Sequence, residues 1–448
     1  MNTLEQLRSG ALAGSRRVAL SCGLTTFPQE IFTLADTLEI LDLSGNALSA
    51  LPHDLARLHQ LRIIFCSNNQ FTELPAVLGQ CPHLTMIGFR ANQICSVPAA
   101  SLPPALRWLV LTDNQITELP PEIGRCQQLQ KLMLAGNRLQ ALPPEMAGCT
   151  RLELLRIAAN RLSTLPDWLL QLPRLAWLAF AGNPMTEATA PVSAPIPRIG
   201  WDSLRLQHTV GEGASGVIHQ AVWQGHVAQP VAVKLFKGAM TSDGLPHHEM
   251  AACISAGAHP NLIAVHGQIS HHPQAASGLV MALVPPHFCN LAGPPSLASC
   301  TRDVYDAATA FTLGALIRLA RGIASAARQL HARGILHGDL YAHNILHNGQ
   351  GEALLGDFGA ASFFAPNAGP LALSLQRLEV RAFACLLEEL LARCRAPTCA
   401  HNAPEARTRQ ATLQALADLQ AACAHRDPAT RPLFLEIEQQ LARCQPAG

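Results

Sequence analysis

Charge and lysine are both scarce in this chain of 448 residues. Charged residues make up 14% of it, aromatic residues 5%, and the formal net charge is +1. A chain so nearly neutral offers no electrostatic footprint for nucleic acid or for an anionic membrane surface. It also lacks the roughly 20 uninterrupted apolar residues that a membrane span needs, and its first residues, which include Glu5, lack the apolar core of a secretory signal. These absences predict a cytoplasmic protein with no membrane span and no nucleic-acid partner.

Paired cysteines are missing too, because no two of the 14 cysteines form a CxxC motif. Without thiols at ligand spacing, a zinc site is not expected, and disulfides are rare in the cytosol. Cys81, Cys126 and Cys149 each lie three residues before a leucine of the repeat described next. This shared phase predicts a buried structural position, where cysteine acts as a small hydrophobe.

An asparagine recurs every 22 or 23 residues through the N-terminal part of the chain. The recurring positions are Asn46, Asn69, Asn92, Asn114, Asn137, Asn160 and Asn183. Around each, the pattern is LxxLxLxxNxL, which is the leucine-rich repeat signature. Each copy predicts a short strand whose leucines enter a core shared with its neighbours, so the copies are stable only as a stack. Residues 1–185 are therefore predicted to form an α/β leucine-rich repeat solenoid of seven to eight repeats.

Strand alternation assigns one set of side chains to the concave face of this predicted solenoid. The set is largely apolar, whereas a solvated face is expected to be more polar. It comprises Ile40, Ile63, Phe65, Met86, Trp108, Val110, Met133, Leu154 and Trp177, with Asp42, Arg90, Lys131 and Arg156 among them. We expect this face to bind a protein substrate or regulator, or to pack on the C-terminal part of the chain. The alternative is a scatter of surface hydrophobes without a partner.

A segment rich in Pro, Ala, Ser and Thr, 186–203, is predicted to be a linker to a second domain at 204–448. Four short motifs follow in one order. Gly211 to Gly216 spells GEGASG, Val231 to Lys234 spells VAVK, His337 to Asn344 spells HGDLYAHN, and Asp357 to Gly359 spells DFG. The glycine-rich motif runs into alternating, strand-like sequence instead of a helix, which disfavours a dinucleotide-binding fold. Lys234 adds weight because the chain has only three lysines against 29 arginines.

In this order and spacing the motifs resemble those of the protein kinase superfamily, over residues 204 to about 440. The resemblance implies an α+β bilobal domain with a site for ATP and Mg²⁺, in which Lys234 pairs with the α- and β-phosphates. Glu249 on the next helix would be its partner, and Met281 would be the gatekeeper before the adenine-binding hinge. The implied nucleotide-binding residues are Gly211, Glu212, Gly213, Ala214, Ser215, Gly216, Ile218, Ala232, Lys234, Glu249, Met281, Ala282 and Val284.

The same resemblance assigns catalytic roles to Asp339, Lys234 and Asn344. Asp339 would accept the proton of the substrate hydroxyl or orient that hydroxyl, and Asn344 and Asp357 would hold Mg²⁺. Residues 379–390 resemble the central buried helix of the large kinase lobe.

Three features depart from the kinase pattern. Gly338 stands where most protein kinases have arginine, and Tyr341 stands where serine/threonine kinases usually have a lysine that can contact the γ-phosphate. Only 22 positions separate Asp357 from the start of the predicted helix, about a dozen fewer than a full activation segment needs. Its serines, the candidate phosphorylation sites, are Ser362 and Ser374.

The favoured interpretation is a cytoplasmic leucine-rich repeat protein kinase that phosphorylates Ser or Thr. A pseudokinase scaffold is one alternative, favoured by the short segment and Tyr341 and opposed by the retention of Lys234, Asp339, Asn344 and Asp357 together. A small-molecule phosphotransferase is another, because HGDxxxxN also resembles loops of antibiotic and choline kinases. The complete glycine loop and the DFG motif favour the protein kinases.

Overall fold

The polypeptide folds into two units whose limits differ from the predicted domain boundaries. The computed structural model describes residues 2–187, 196–213, 215–225, 227–238, 240–395 and 404–444. The first unit comprises residues 1–175 with 183–185, and the second comprises 176–182 with 186–448. Residues 176–182, which the sequence assigns to the repeats, thus pack within the second unit. Residues 188–195 of the predicted linker, and Ala214 of the predicted nucleotide site, lie outside the described residues.

Three-residue strands recur at the repeat spacing and run parallel to one another. They are β1 (Arg17–Ala19), β2 (Ile40–Asp42), β3 (Ile63–Phe65), β4 (Met86–Gly88), β5 (Trp108–Val110), β6 (Lys131–Met133) and β7 (Leu154–Arg156), with β8 (Trp177–Ala179) next in sheet order. Short 3₁₀ helices alternate with them, at Gln29–Leu34, Leu55–Arg57, Ala76–Gln80, Ala99–Ser101, Pro121–Arg125 and Pro144–Gly148. The α-helices here are α1 (Leu4–Arg8), α2 (Asp167–Leu170) and α3 (Pro184–Glu187). The predicted leucine-rich repeat solenoid is confirmed.

The recurrent asparagines join each repeat to the one before it. Asn137 is buried; its Oδ1 accepts from the N–H of Ile116 at 3.0 Å, and its Nδ2 donates to the carbonyl oxygens of Leu111 at 2.9 Å and Leu134 at 3.0 Å. These backbone groups lie where the chain leaves a strand, and burying them without partners would cost free energy. The asparagine period is therefore structural.

The cysteines in phase with the repeat are buried, as predicted. Burial raises the pKa of the Cys126 thiol to about 11 and that of Cys149 to about 12. At neutral pH these thiols stay protonated and fill core space.

The predicted concave face is more buried than strand alternation suggests. Phe65, Trp108 and Val110 are half-buried. The prediction of exposure is wrong for six members of the set, which are buried: Ile63, Met86, Met133, Leu154, Arg156 and Trp177. Alternation specifies the side of a strand on which a residue lies, not what covers it. Within the sheet, in-register neighbours cover one another: Met86 lies between Ile63 and Trp108.

The second unit begins with a six-stranded mixed sheet and one helix. Its elements are β9 (Arg198–Gly200), β10 (Leu204–Glu212), β11 (Gly216–Gln224), β12 (Ala228–Phe236), α4 (Pro246–Ala256), β13 (Val265–Ser270) and β14 (Gly278–Ala282), in the sheet order β10-β11-β12-β14-β13-β9. Alternate residues of β12 enter different cores: Val231 and Val233 pack on one face, and Ala232 packs on the other with Leu279 and Met281. A sheet buried on both faces needs such apolar alternation without polar interruption.

The remainder of the second unit is mainly helical. Its elements are β15 (Cys289–Asn290), α5 (Leu313–Ala332), β16 (Ile335–Leu336), β17 (Ile345–His347), β18 (Ala353–Leu355), β19 (Ser362–Phe363), α6 (Pro370–Ala392), α7 (Pro404–Cys423) and α8 (Phe434–Arg443), with 3₁₀ turns at Ala342–Asn344 and Pro428–Thr430. Helix α6 begins earlier than the predicted 379–390, because Gly369 has a positive φ of 61° and Pro370 occupies the first helical position. A mixed sheet followed by helices confirms the predicted α+β kinase-like fold. None of the helices in the described parts of the chain is long and apolar enough to cross a membrane.

We predict that Asn137→Ala destabilises the repeats, because three buried backbone groups lose their partner. At about 1–3 kcal/mol for each unsatisfied group, the expected loss of unfolding free energy is about 3 kcal/mol or more. Urea denaturation of the intact chain measures it. Gln70→Ala, an exposed position in the same array, is the control and should change stability by less than about 0.5 kcal/mol. Equal losses for the two variants would contradict the structural role of the asparagine.

Candidate active site

The glycine-rich loop joins β10 to β11 as a tight turn. The N–H of Gly213 donates to the carbonyl of Gly216 at 2.9 Å, and Lys237 Nζ donates to Glu212 Oε1 at 2.6 Å. A Cβ on Gly216 would lie 2.5 Å from the carbonyl oxygen of Leu235, so packing requires glycine there. No described atom lies within 4 Å of a Cβ placed on Gly211 or Gly213. The backbone at those two positions therefore faces space that a ligand could enter.

Lys234 forms a buried ion pair with Glu249. Lys234 lies on β12 and Glu249 on α4, and their side chains are 12% and 2% exposed. Burial alone would lower the pKa of Lys234, but the negative charges of Glu249 and Asp357 outweigh it, so this pKa lies above its ordinary value. The lysine is thus held as a cation facing two carboxylates. The Lys–Glu partnership implied by the resemblance is present in the geometry.

The predicted gatekeeper and hinge lie at the end of β14. Met281 lies opposite Ala232 in the pairing of β12 with β14, and both are buried. Ala282 ends the strand and donates its N–H to the carbonyl of Ala264 at 2.9 Å. Val284 lies two residues beyond, half-buried. Ile218 on β11 packs against the same apolar cluster as Ala232 and Met281, so the predicted adenine-side residues share one face of the sheet.

Asp339 and Asn344 are joined by hydrogen bonds within residues 337–344, which the sequence predicts to be the catalytic loop and which carry that name below. Asn344 Nδ2 donates to Asp339 Oδ2 and to the Asp339 carbonyl, both at 2.9 Å. His337 links this loop to the DFG turn: its Nδ1 accepts from the N–H of Asp339 at 3.3 Å, and its Nε2 donates to the carbonyl of Gly356 at 2.9 Å. In this pair of bonds Nδ1 is the acceptor and Nε2 the donor. The loop and the turn are therefore held in one arrangement.

Asp357 is exposed and has a positive φ of 50°. Its Oδ1 accepts from the N–H of Gly359 at 3.1 Å, which holds the turn. Because Asn344 uses its amide nitrogen on Asp339, its Oδ1 is the atom left for a cation. Carboxylate and amide oxygens are the ligands that Mg²⁺ takes in proteins. The donor set of Asn344 and Asp357 therefore fits the predicted metal, and their roles remain predictions.

Sequence reasoning missed the part played by Glu379. This buried residue of α6 accepts from the N–H of Gly338 through Oε1 at 2.7 Å and bonds His331 Nε2 through Oε2 at 2.7 Å. A buried carboxylate needs such partners to offset its desolvation. Glu379 thereby anchors the catalytic loop to two helices. The sequence gives little signal for this role, because Glu379 is one of three glutamates in α6, with Glu388 and Glu389.

Sequence reasoning also missed the aromatic environment of Tyr341. Its ring stacks on that of Trp177, with centroids 4.1 Å apart and planes 6° from parallel, and lies 5.0 Å from the ring of His343. His343 Nδ1 bonds Asp303 Oδ1 at 2.7 Å. Burial alone would lower the pKa of His343, but Asp303 and the site carboxylates raise it above its ordinary value. Tyr341 is thus buried among rings and does not replace the lysine that serine/threonine kinases usually have at this position.

Known proteins resemble both parts of the chain. Residues 204–371 match the family model described as protein tyrosine and serine/threonine kinase. Leucine-rich repeat models match residues 37–58, 104–162 and 127–185. The Drosophila melanogaster protein named Activated Cdc42 kinase-like is 28% identical over 160 residues, which are 35% of this chain and 11% of that protein. The matches thus place a leucine-rich repeat array before a region that is similar to protein kinase domains.

Gly338 is a position that only glycine fits, and we predict that Gly338→Ala is strongly destabilising. Its φ is +73°, and a Cβ would lie 2.6 Å from the carbonyl oxygen of Ala360 and 2.7 Å from that of Leu178. Strain and collision together should lower the unfolding free energy by about 2–4 kcal/mol. Thermal or urea unfolding of the intact chain measures the loss.

Gly349→Ala is the matched control for this prediction. Gly349 has a φ of +77°, and no described atom lies within 4 Å of the position that its Cβ would take. This variant carries the cost of positive φ alone, about 1 kcal/mol. Losses of the same size at 338 and 349 would show that the close approach at Gly338 does not constrain the protein.

Proposed function

We propose that this chain is an active protein kinase of the cytoplasm that transfers the γ-phosphate of ATP to Ser or Thr hydroxyls of proteins. The observation that carries the proposal is the intact polar cluster: Lys234 paired with Glu249, Asp339 paired with Asn344, and an exposed Asp357 whose charge reaches Lys234. A scaffold that had lost catalysis would not need a buried lysine held as a cation or a carboxylate locked to an amide. Keeping these groups in place costs desolvation free energy.

ATP and Mg²⁺ fit the residues present. Lys234 would neutralise phosphate charge, and Asn344 and Asp357 would hold the metal, which offsets the charge that develops on the phosphate oxygens. Gly211 and Gly213 leave space for phosphate to approach the backbone. The adenine would lie against Ala232 and Met281, next to the backbone of residues 282–284.

Asp339 is placed to act on the acceptor hydroxyl. Asn344 holds its Oδ2, and the residue is half-buried, so the carboxylate is both fixed in orientation and within reach of solvent. Such a carboxylate can orient a hydroxyl and take its proton as the phosphoryl group transfers. The lysine that usually assists in serine/threonine kinases is absent, and Tyr341 is buried, so the positive charge comes from Lys234 and the metal.

We predict that Asp339→Asn removes phosphoryl transfer while leaving ATP binding intact. Without the carboxylate, the rate should fall by about 100-fold or more. The assay follows labelled γ-phosphate from Mg-ATP into generic protein acceptors and into the intact chain itself, and phosphoamino-acid analysis identifies the acceptor hydroxyl. Asp418→Asn, an exposed aspartate on α7, is the control and should keep full activity.

Each outcome of this assay is decisive. Label on Ser or Thr that disappears only in Asp339→Asn supports the proposal, and label on Tyr would correct the acceptor class. Binding of ATP without transfer by the unaltered chain would overturn catalysis in favour of a pseudokinase scaffold. A parallel assay offers small-molecule alcohols and aminoglycosides as acceptors, and label found only in them would favour a small-molecule phosphotransferase.

We further propose that the strand face of the repeats docks the protein substrate or a regulator. Phe65 on β3 and Trp108 and Val110 on β5 are half-buried. Strand β4 lies between β3 and β5, and its Gly88 is in register with Phe65 and Val110. Lys131 Nζ lies 4.2 Å from the Trp108 ring centroid, which adds a cation to an aromatic surface. Aromatic and cationic side chains of this kind dominate binding energy at protein interfaces.

We predict that the double variant Phe65→Ala, Trp108→Ala raises KM for the protein acceptor found in the transfer assay. The expected increase is about tenfold, with kcat and KM for ATP unchanged, because only substrate affinity is lost. Gln70→Ala is the control. An unchanged KM for the acceptor would remove this face from substrate docking.

A further inference from the structure

Residues 176–182, which we name the support segment, carry the leucine pattern of the last repeat but pack within the kinase unit. The segment contains strand β8 and is followed by Asn183, the last of the recurrent asparagines. Its Trp177 is 1% exposed, although the repeat pattern assigns that residue to a strand's outward side. Other residues must therefore cover this indole.

The catalytic loop covers Trp177. The indole stacks on the Tyr341 ring at 4.1 Å, and its Nε1 donates to the carbonyl of Leu340 at 3.2 Å. Leu340 and Tyr341 directly follow Asp339. The stack and the hydrogen bond therefore restrain the backbone on the C-terminal side of the catalytic carboxylate, while Asn344 restrains its side chain.

The support segment also contacts the residues on either side of this loop. The N–H of Phe180 donates to Ser362 Oγ at 2.9 Å. The carbonyl oxygen of Leu178 lies 2.7 Å from the position that a Cβ on Gly338 would take. Glycine at 338, where most protein kinases have arginine, is thus the residue that lets the segment approach. The space that a side chain at 338 would take is occupied by the backbone of the support segment.

Few other residues are available to support the catalytic loop. Only residues 358–369 lie between Asp357 and the start of α6. Ser362 is 0% exposed, so its hydroxyl serves the contact with Phe180 and is not open to a kinase. Ser374, the other candidate phosphorylation site, lies within α6 and not in this segment. Residues 358–369 therefore do not present a serine whose phosphorylation could support the catalytic loop.

We propose that the support segment is a positioning element, which holds Asp339 in place for phosphoryl transfer without phosphorylation of the activation segment. This inference rests on the proposed kinase function. Trp177 is a positioning residue, because it touches the loop and not the reacting atoms. The segment leaves the site accessible, since Asp357 is exposed and Asp339 is half-buried while Trp177 contacts Leu340 and Tyr341.

The test compares Trp177→Ala with Trp177→Phe in the intact chain. Alanine removes the stack and the hydrogen bond, whereas phenylalanine keeps a ring that can stack. We expect kcat to fall about tenfold or more in Trp177→Ala with KM for ATP changed less than about twofold, because transfer geometry is lost and nucleotide contacts are not. Trp177→Phe should recover most of kcat. Trp168→Ala, a half-buried tryptophan of the first unit, should leave both constants unchanged.

Hydrogen exchange on the same proteins gives a readout independent of catalysis. We expect faster exchange in residues 338–344 and 360–363 of Trp177→Ala, with strand β12 unchanged; faster exchange in β12 as well would indicate general unfolding and overturn a specific positioning role. Unchanged kcat, or a kcat that rises in Trp177→Ala, would also overturn it, the latter by showing that the segment restrains the site. If the unaltered chain transfers no phosphate, the proposed function fails. The exchange result then decides alone whether the segment positions the loop.

Discussion

The absence of a side chain at Gly338 is the constraint on which the rest of the candidate active site depends. The N–H of this residue donates to the buried carboxylate of Glu379, and carbonyl oxygens of Ala360 and Leu178 lie within 2.7 Å of where its Cβ would be. A helix, the segment after the DFG turn and a strand of the repeat pattern thus meet at one backbone position. Any side chain there would force at least one of them away. The position of Asp339, the next residue, follows from this meeting point.

Local patterns were sufficient to predict the repeats, because the same LxxLxLxxNxL pattern recurs in each of them. The asparagine period predicted one short strand in each repeat, and the bonds of Asn137 to Ile116, Leu111 and Leu134 show why the period holds. Exposure was predicted less well. Met86 and Leu154 lie on the side that alternation assigns to them and are nevertheless buried. Their burial depends on neighbouring strands and on side-chain size, which a period of two does not encode.

The candidate site likewise contains residues that short motifs predict and residues that only the structure reveals. Lys234, Asp339, Asn344 and Asp357 follow from short motifs whose chemistry requires those residue types, and the structure brings them together. Glu379 and Trp177 could not be assigned from the sequence, because their partners lie 41 and 163 residues away. Both long-range contacts end on residues 338–341. The signal that did exist was negative: a glycine and a tyrosine at positions where the family pattern has long basic side chains.

The three departures from the kinase pattern belong to one packing arrangement and are not three unrelated losses of side chains or segments. A glycine at 338 admits the backbone of Leu178, a tyrosine at 341 provides the surface on which Trp177 stacks, and the short segment after Asp357 leaves room for both. Decay of an unused site would remove groups without replacing their contacts, and the cavities and unpaired polar groups left behind would cost stability. Here each lost basic side chain is matched by a buried contact, and the polar groups around Asp339 are hydrogen-bonded. The departures therefore agree with the proposed support of residues 337–344 by residues 176–182, and they are not by themselves a sign of a site that has lost its function.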